Sequence, residues 1–65
     1  MSPFQERVIA ERDDLQEKIN RLDGFIGESP TYDTLPKAEQ ARLSLQLDVM
    51  GGYLDILNAR IGAFK

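Results

Sequence analysis

Five side chains in this 65-residue sequence have the chemistry to hold a small anionic ligand. Three are arginines, Arg7, Arg12 and Arg60, and two are aromatic, Phe4 and Tyr53. A guanidinium matches the geometry of a phosphate group, and an aromatic ring stacks on a nucleobase. We therefore take these five residues as the candidate ligand-binding set.

Each candidate also has a structural interpretation that the sequence leaves open. Arg12 stands where an apolar residue is expected, so its side chain reaches water, pairs with an acid, or points into a cleft between subunits. Phe4 stacks on a ligand or packs on apolar residues near the C-terminus. Arg60 binds an anion or favours the dipole at a helix C-terminus. Tyr53 stacks on a ligand or packs in an interface.

The composition argues against catalysis. There is no His and no Cys, so the commonest general acid–base residue, disulfides and thiolate metal sites are all absent. Asp48 and Asp55 share a lateral helix face at a seven-residue spacing, which fits an acid pair or a solvated stripe. We predict no enzymatic activity, no metal site and no cofactor.

The charge balance narrows the partners. Eight basic residues are scattered among eleven acidic ones, giving a net charge of −3. Proteins that bind DNA or RNA normally present a basic face, so we expect neither partner. No apolar run approaches the ~20 residues of a membrane span, and the N-terminus does not read as a secretory signal. We predict a cytoplasmic protein without a membrane partner.

Two long helices are predicted to position the candidate residues. The first helix is expected over about residues 3–26, with Ser2 and Gln5 forming a capping box. A loop is expected over 27–35, because Gly24 and Gly27 fit a helix C-terminus. The second helix is expected over 36–63, with Thr34 or Leu35 as its cap. The whole chain, 1–65, is then one helical-hairpin domain.

The second helix carries an apolar row in heptad spacing, which we call the inner row. Its members are Leu43, Leu47, Met50, Leu54, Leu57, Ile61 and Phe64. Such a row packs against a neighbouring helix, so the two helices should fold back as an antiparallel hairpin. Folding at the predicted loop places Arg12 opposite Met50 and Gly51, and Phe4 near Asn58 and Ile61.

A second row lies two positions further along the same helix, and we call it the outer row. Its members are Leu45, Val49, Gly52, Ile56, Ala59 and Ala63. Two residues are ~200° of rotation, so this row faces away from the first helix. We therefore expect an all-α fold that self-associates through the second helix into a bundle or ring. The predicted interface residues are Leu45, Val49, Gly52, Ile56 and Ala59.

The adjacent glycines Gly51 and Gly52 are unusual inside a helix, because each costs ~1 kcal/mol relative to Ala. Gly52 belongs to the outer row, where it would let another subunit come close. Gly51 lies beside the inner row, where it would leave room for Arg12. A kink in the second helix is the alternative.

The segments FQERVIAERDDLQEKINRLDGFI and LPKAEQARLSLQLDVMGGYLDILNARIGAF resemble the helical-hairpin domain of phage-encoded nucleotide sponges, the anti-CBASS and anti-Thoeris proteins. The likeness rests on the Phe-Gln start, the LP-x-x-EQ helix opening and the Tyr…Arg-Ile-x-x-Phe ending. It implies ring-like oligomers, hexamers among them, that hold cyclic oligonucleotides or cyclic ADP-ribose isomers between subunits without cleaving them.

Two functions are expected. The first, which the resemblance implies, is a non-catalytic anti-defence protein that sequesters a cyclic nucleotide signal in pockets between subunits, in the cytoplasm of the host cell if the protein is phage-encoded. The alternative is a small helical-hairpin module that binds or inhibits a host or phage protein, since a slim acidic protein suits a basic surface.

Overall fold

The fold is a slim helical hairpin, described by a computed structural model of all 65 residues. Three helices follow one another: α1 over Pro3–Glu28, α2 over Pro30–Thr34 and α3 over Lys37–Gly62. The long helices α1 and α3 pack antiparallel in a rod of 47 × 15 × 13 Å. The all-α prediction is confirmed, and α3 corresponds to the second predicted helix. None of the three helices combines the length and the apolar character that crossing a membrane requires.

The start of α1 follows the predicted capping chemistry. The Gln5 backbone N–H donates to Ser2 Oγ at 3.2 Å, and the Ser2 N–H donates to Gln5 Oε1 at 3.2 Å. Pro3 occupies the first turn, where its missing N–H costs nothing. This reciprocal bonding satisfies two donors that a bare helix end would leave without partners.

Both helix breaks in the reversal are set by the residue before a proline. Ser29 precedes Pro30 and Leu35 precedes Pro36, and both adopt extended backbone conformations. A following proline disfavours the helical conformation of the preceding residue. α1 ends at Glu28, two residues after the predicted end, because it continues through Gly24 and Gly27 without a positive φ.

The segment expected to be a loop instead contains α2. The Ser29 hydroxyl accepts from the Thr31 N–H at 3.2 Å and so caps this short helix. The Gln40 side chain, from α3, donates to the carbonyl oxygens of Tyr32 at 3.0 Å and of Leu35 at 3.1 Å. One amide group therefore ties the end of α2 to the first turns of α3.

The cap of α3 also differs from the prediction. Pro36 is the N-cap residue and makes no side-chain capping bond, whereas Thr34 or Leu35 was expected there. Leu35 instead ends α2, and the Thr34 hydroxyl donates to the Thr31 carbonyl at 2.7 Å. α3 begins at Lys37, one residue after the predicted start.

The core is small and lies along the inner row. Val8, Leu15 and Leu57 are the buried residues, and Leu57 has no exposed surface. Ile19 and Met50 pack against this cluster together with other partly buried apolar residues. Every member of the inner row is buried or partly buried, as the heptad spacing predicts.

The helix register differs from the predicted one. Arg12 contacts Asn58 rather than Met50 and Gly51. Phe4 contacts Phe64, which lies beyond the predicted Asn58 and Ile61. These partners lie one to two turns later on α3. The reason is that α1 runs to Glu28 and α2 lengthens the reversal, so the chain folds back later than expected.

All members of the outer row are exposed, which matches the predicted phase of α3. Leu45 is 63% exposed, Val49 64% and Ile56 60%. This hairpin therefore leaves one apolar helix face without a partner within the chain.

Candidate functional site

A groove on one side of the hairpin contains two members of the candidate set, and we call it the side groove. It is lined by Arg7, Ala10, Glu11, Asp14, Leu15, Lys18 and Tyr53 and has a volume of about 480 Å³. Sites for small molecules typically occupy ~300–1,000 Å³. Tyr53 is 42% exposed, so part of its ring is available to a ligand.

Helix geometry explains why these side chains share one groove. Arg7, Glu11, Asp14 and Lys18 are spaced by four, three and four residues, which aligns them on one face of α1. Tyr53 precedes an inner-row residue by one position, so it lies ~100° to the side of that row. The Tyr53 side chain, which belongs to α3, therefore lies beside this charged face of α1.

The two cations of the side groove have no carboxylate partners. The ion pairs of the structure join Arg12 to Asp13, Arg21 to Glu17 and Arg42 to Glu39, at 2.7–2.8 Å. The i,i+4 spacing would also allow Arg7 to pair with Glu11 and Lys18 with Asp14, but neither pair forms. Both cations therefore remain open to an anion.

A second aromatic and basic group lies at the end of the hairpin that holds both termini, and we call it the end cluster. The guanidinium of Arg60 lies 5.8 Å from the centroid of the Phe4 ring. The Phe4 and Phe64 rings are 6.4 Å apart and tilted by 57°. Phe4 remains 53% exposed, so one part of its ring packs while the rest meets solvent.

Arg12 lies on the other edge of the hairpin. Its Nε donates to Asp13 Oδ1 at 2.7 Å, and its Nη1 donates to Asn58 Oδ1 at 3.1 Å. Arg7 and Arg12 are five residues apart, which is ~140° around α1, so they face different sides. The Asn58 contact supports the structural interpretation of Arg12. Nothing lies within 4 Å of a Cβ built on Gly51, so that glycine does not make room for Arg12.

Comparison with known proteins identifies the family of this chain. A family model described as Sequestin matches residues 2–63. This chain belongs to the Sequestin family. It is also 40% identical, over 65 residues and the full length of both chains, to a protein of Enterobacteria phage T4. That relative is described as an uncharacterized 7.5 kDa protein in the denB-rIIB intergenic region. No solved structure matches the chain.

Membership of the Sequestin family confirms the resemblance to a phage-encoded sequestering family that the sequence suggested. The family name suggests a protein that binds rather than catalyses. The comparisons name no ligand, so the five candidate binding residues remain predictions.

In this Sequestin member the five candidates fall in three places. Arg7 and Tyr53 share the side groove, Phe4 and Arg60 share the end cluster, and Arg12 stands apart from both.

Sequence reasoning missed the other polar residues of the side groove. Glu11, Asp14 and Lys18 line the groove but were not in the candidate ligand-binding set. The signal that could have found Lys18 is its helical phase, which it shares with Arg7. The groove itself could not be recognised from the sequence, because the position of Tyr53 beside Arg7 and Lys18 depends on the register of the two helices.

Proposed function

We propose that this protein is a non-catalytic sponge, which binds a small cyclic nucleotide signal between the subunits of a homo-oligomer. Holding the signal would keep it from activating a bacterial defence response. The proposal is supported by membership of the Sequestin family, by the phage relative and by the basic and aromatic side chains of the hairpin.

The observation that carries the proposal is the pair of unpartnered cations beside an exposed tyrosine. Arg7 and Lys18 flank the side groove without ion-pair partners, and Tyr53 borders it from α3. Phosphates bind to guanidinium and ammonium groups, while a nucleobase stacks on an aromatic face. A nucleotide uses both kinds of contact at once.

The carboxylates in the side groove constrain how such a ligand would lie. Glu11 and Asp14 accept hydrogen bonds but repel phosphate, so they suit ribose hydroxyls or an exocyclic amine. Arg7 and Lys18 stand on either side of them along α1. We therefore expect the phosphates of the ligand at the basic ends of the stripe and the sugar or base edge between them.

Self-association belongs to the same proposal. Leu45, Val49 and Ile56 are each more than half exposed on the outer row. Burying side chains of this size fully contributes ~1.5–3 kcal/mol each, and a 65-residue chain has a small core of its own. We propose that subunits meet through this row, with Gly52 and Ala59 at the points of closest approach.

Titration calorimetry tests the proposal directly. The purified protein, at ~100 μM, is titrated with cyclic di- and trinucleotides and with cyclic ADP-ribose isomers, and linear nucleotides serve as controls. At that concentration binding of ~5.5 kcal/mol is detectable. We expect binding of at least one cyclic nucleotide, and no heat with any of them would sink the proposal. Bound ligand released by heating should be intact by mass spectrometry, because a sponge does not cleave it.

Matched variants locate the binding site. Arg7→Gln and Lys18→Gln each remove one unpaired cation, and hydrogen bonds to charged groups contribute ~1.5–3 kcal/mol, so affinity should fall about tenfold or more. Arg21→Gln is the control, since Arg21 lies outside the side groove and pairs with Glu17. Equal losses in all three variants would mean that the side groove is not the site.

A further inference from the structure

We propose that α3 pairs antiparallel with α3 of a second copy, in the register that sets each large residue of the outer row against a small one. This inference rests on the proposed function, because it has the second copy contribute side chains to the side groove.

The outer row has the character of a buried helix face. Its three large residues are 60–64% exposed, and none of its six members is charged. The row runs ~27 Å along α3, given a rise of 1.5 Å per residue. Within the chain nothing covers it, and α1 occupies the opposite side of α3.

Gly52 indicates that the partner comes close. Nothing lies within 4 Å of a Cβ built on Gly52, and its φ is not positive. The same is true of the other four glycines. What distinguishes Gly52 is its place in the outer row, where a residue without a side chain lets a neighbouring helix come close.

The order of large and small residues in the row identifies the partner as a second copy. Three of the first four members are large, and the last two are alanines. Reversing the direction of the row aligns large residues with small ones throughout. The pairs are Leu45 with the partner's Ala63, Val49 with the partner's Ala59, and Ile56 with the partner's Gly52. Such a surface is complementary to itself about a two-fold axis, as a symmetric dimer requires.

Other arrangements of the same row pack less well. In a parallel pair each residue faces its own counterpart, so Gly52 would face the partner's Gly52 and leave a gap between the helices. Shifting the antiparallel pair by one heptad sets Leu45 against the partner's Ile56, which are both large, and sets Ala59 against the partner's Arg42. Close packing without gaps favours the register in which every member is matched.

This register brings partner residues to the side groove. In an antiparallel helix pair, the positions that flank the apolar row on one edge face their equivalents from the other helix. Tyr53 is then beside the partner's Tyr53, and Gln46 is beside the partner's Arg60. Because Tyr53 lines the side groove, a ligand there would contact an aromatic ring from the second copy.

Disulfide cross-linking tests the register, because the chain has no native cysteine. Val49→Cys and Ala59→Cys are prepared separately, one with a mass tag, then mixed, allowed to exchange and oxidised. We expect a Val49–Ala59 heterodimer as the predominant product on non-reducing gels and by intact mass. Glu17→Cys is the control, since Glu17 is exposed on α1 and should not cross-link with Ala59→Cys.

The alternative products each overturn the inference. Parallel pairing would give homodimers of each single variant, and the shifted register would instead link Leu45→Cys to Ile56→Cys. The inference would also be overturned if the parent protein sediments as a monomer at the concentrations used. In that case the outer row would be the binding surface for a different protein.

Failure of the inference and failure of the proposed function are separable. Cross-linking is done without nucleotide, so it reports the register alone. Nucleotide binding together with cross-links in another register would overturn the inference and leave the sponge function standing. The expected cross-link without binding of any nucleotide would support the inference and overturn the function.

Discussion

The guanidinium of Arg60 lies over the ring of Phe4, 5.8 Å from its centroid. The contact joins the first turn of α1 to the last turns of α3, at the end of the hairpin where no covalent turn links the helices. Phe64 extends the contact with a ring 6.4 Å from that of Phe4. At one end of the rod the chain itself connects the two long helices. At the other end the contacts among Arg60, Phe4 and Phe64 hold the helices together.

We predict a measurable coupling between Phe4 and Arg60. Exposed cation–π contacts contribute ~0.5–1 kcal/mol, so a double-mutant cycle of Phe4→Leu and Arg60→Gln should give a coupling energy of that size. Urea unfolding at one fixed protein concentration measures it. Arg42→Gln, which lies far from Phe4 and pairs with Glu39, should be additive with Phe4→Leu. Additivity of Phe4→Leu with Arg60→Gln as well would contradict the assigned contact.

We predict that Leu57 contributes more to stability than any exposed leucine. Its side chain has no exposed surface and packs with Val8 and Leu15. Leu57→Ala should cost ~2–5 kcal/mol, which is enough to unfold much of so small a domain. Leu57→Met keeps most of the volume and should cost less than ~1.5 kcal/mol. Circular dichroism during urea or thermal unfolding distinguishes the two, and equal losses would mean that the core lies elsewhere.

We predict that the Gln40 amide holds α2 against α3. It donates to the Tyr32 and Leu35 carbonyl oxygens. In Gln40→Met the Leu35 oxygen would lose its partner, whereas the Tyr32 oxygen would keep the Leu35 backbone N–H. Leaving such groups unsatisfied costs ~1–3 kcal/mol, and amide hydrogen exchange across 29–36 should accelerate most. Gln46→Met is the matched control, because Gln46 is exposed and only contacts Met50 Sδ at 3.9 Å. Unchanged exchange in Gln40→Met would rule out this role.

Local chemistry in the sequence predicted the elements and the faces of α3 well. Ser2 and Gln5 specify their own capping bonds over three residues. The inner row lies against α1 and the outer row lies in solvent, because a heptad fixes the phase of a helix irrespective of what it packs on. The i,i+4 spacing favours two ion pairs on α1, of which Glu17 with Arg21 forms and Asp14 with Lys18 does not.

The register and the side groove could not be predicted, because both depend on the reversal. Because α2 replaces the expected loop, the contacts between α1 and α3 are displaced along the helices. The sequences of the two long helices do not indicate that displacement. Gln40 is an example, since its partners Tyr32 and Leu35 are defined only once α2 exists. The pairing of Tyr53 with the Arg7 and Lys18 stripe likewise follows from the register alone.

The last prediction separates the two adjacent glycines of α3. A Cβ fits at both Gly51 and Gly52 within the chain, so Ala at either position should stabilise the helix by up to ~1 kcal/mol. Assembly should distinguish them. Gly51 is partly buried and lies outside the outer row, so Gly51→Ala should assemble like the parent and unfold at a higher temperature.

Gly52→Leu should keep its helical content by circular dichroism but sediment at a lower mass than the parent. The added side chain would occupy the space where the proposed register places the partner's Ile56. Sedimentation velocity over a range of protein concentrations measures the difference, with Gly51→Ala as the matched control. If both variants assemble like the parent, the outer row is not the interface.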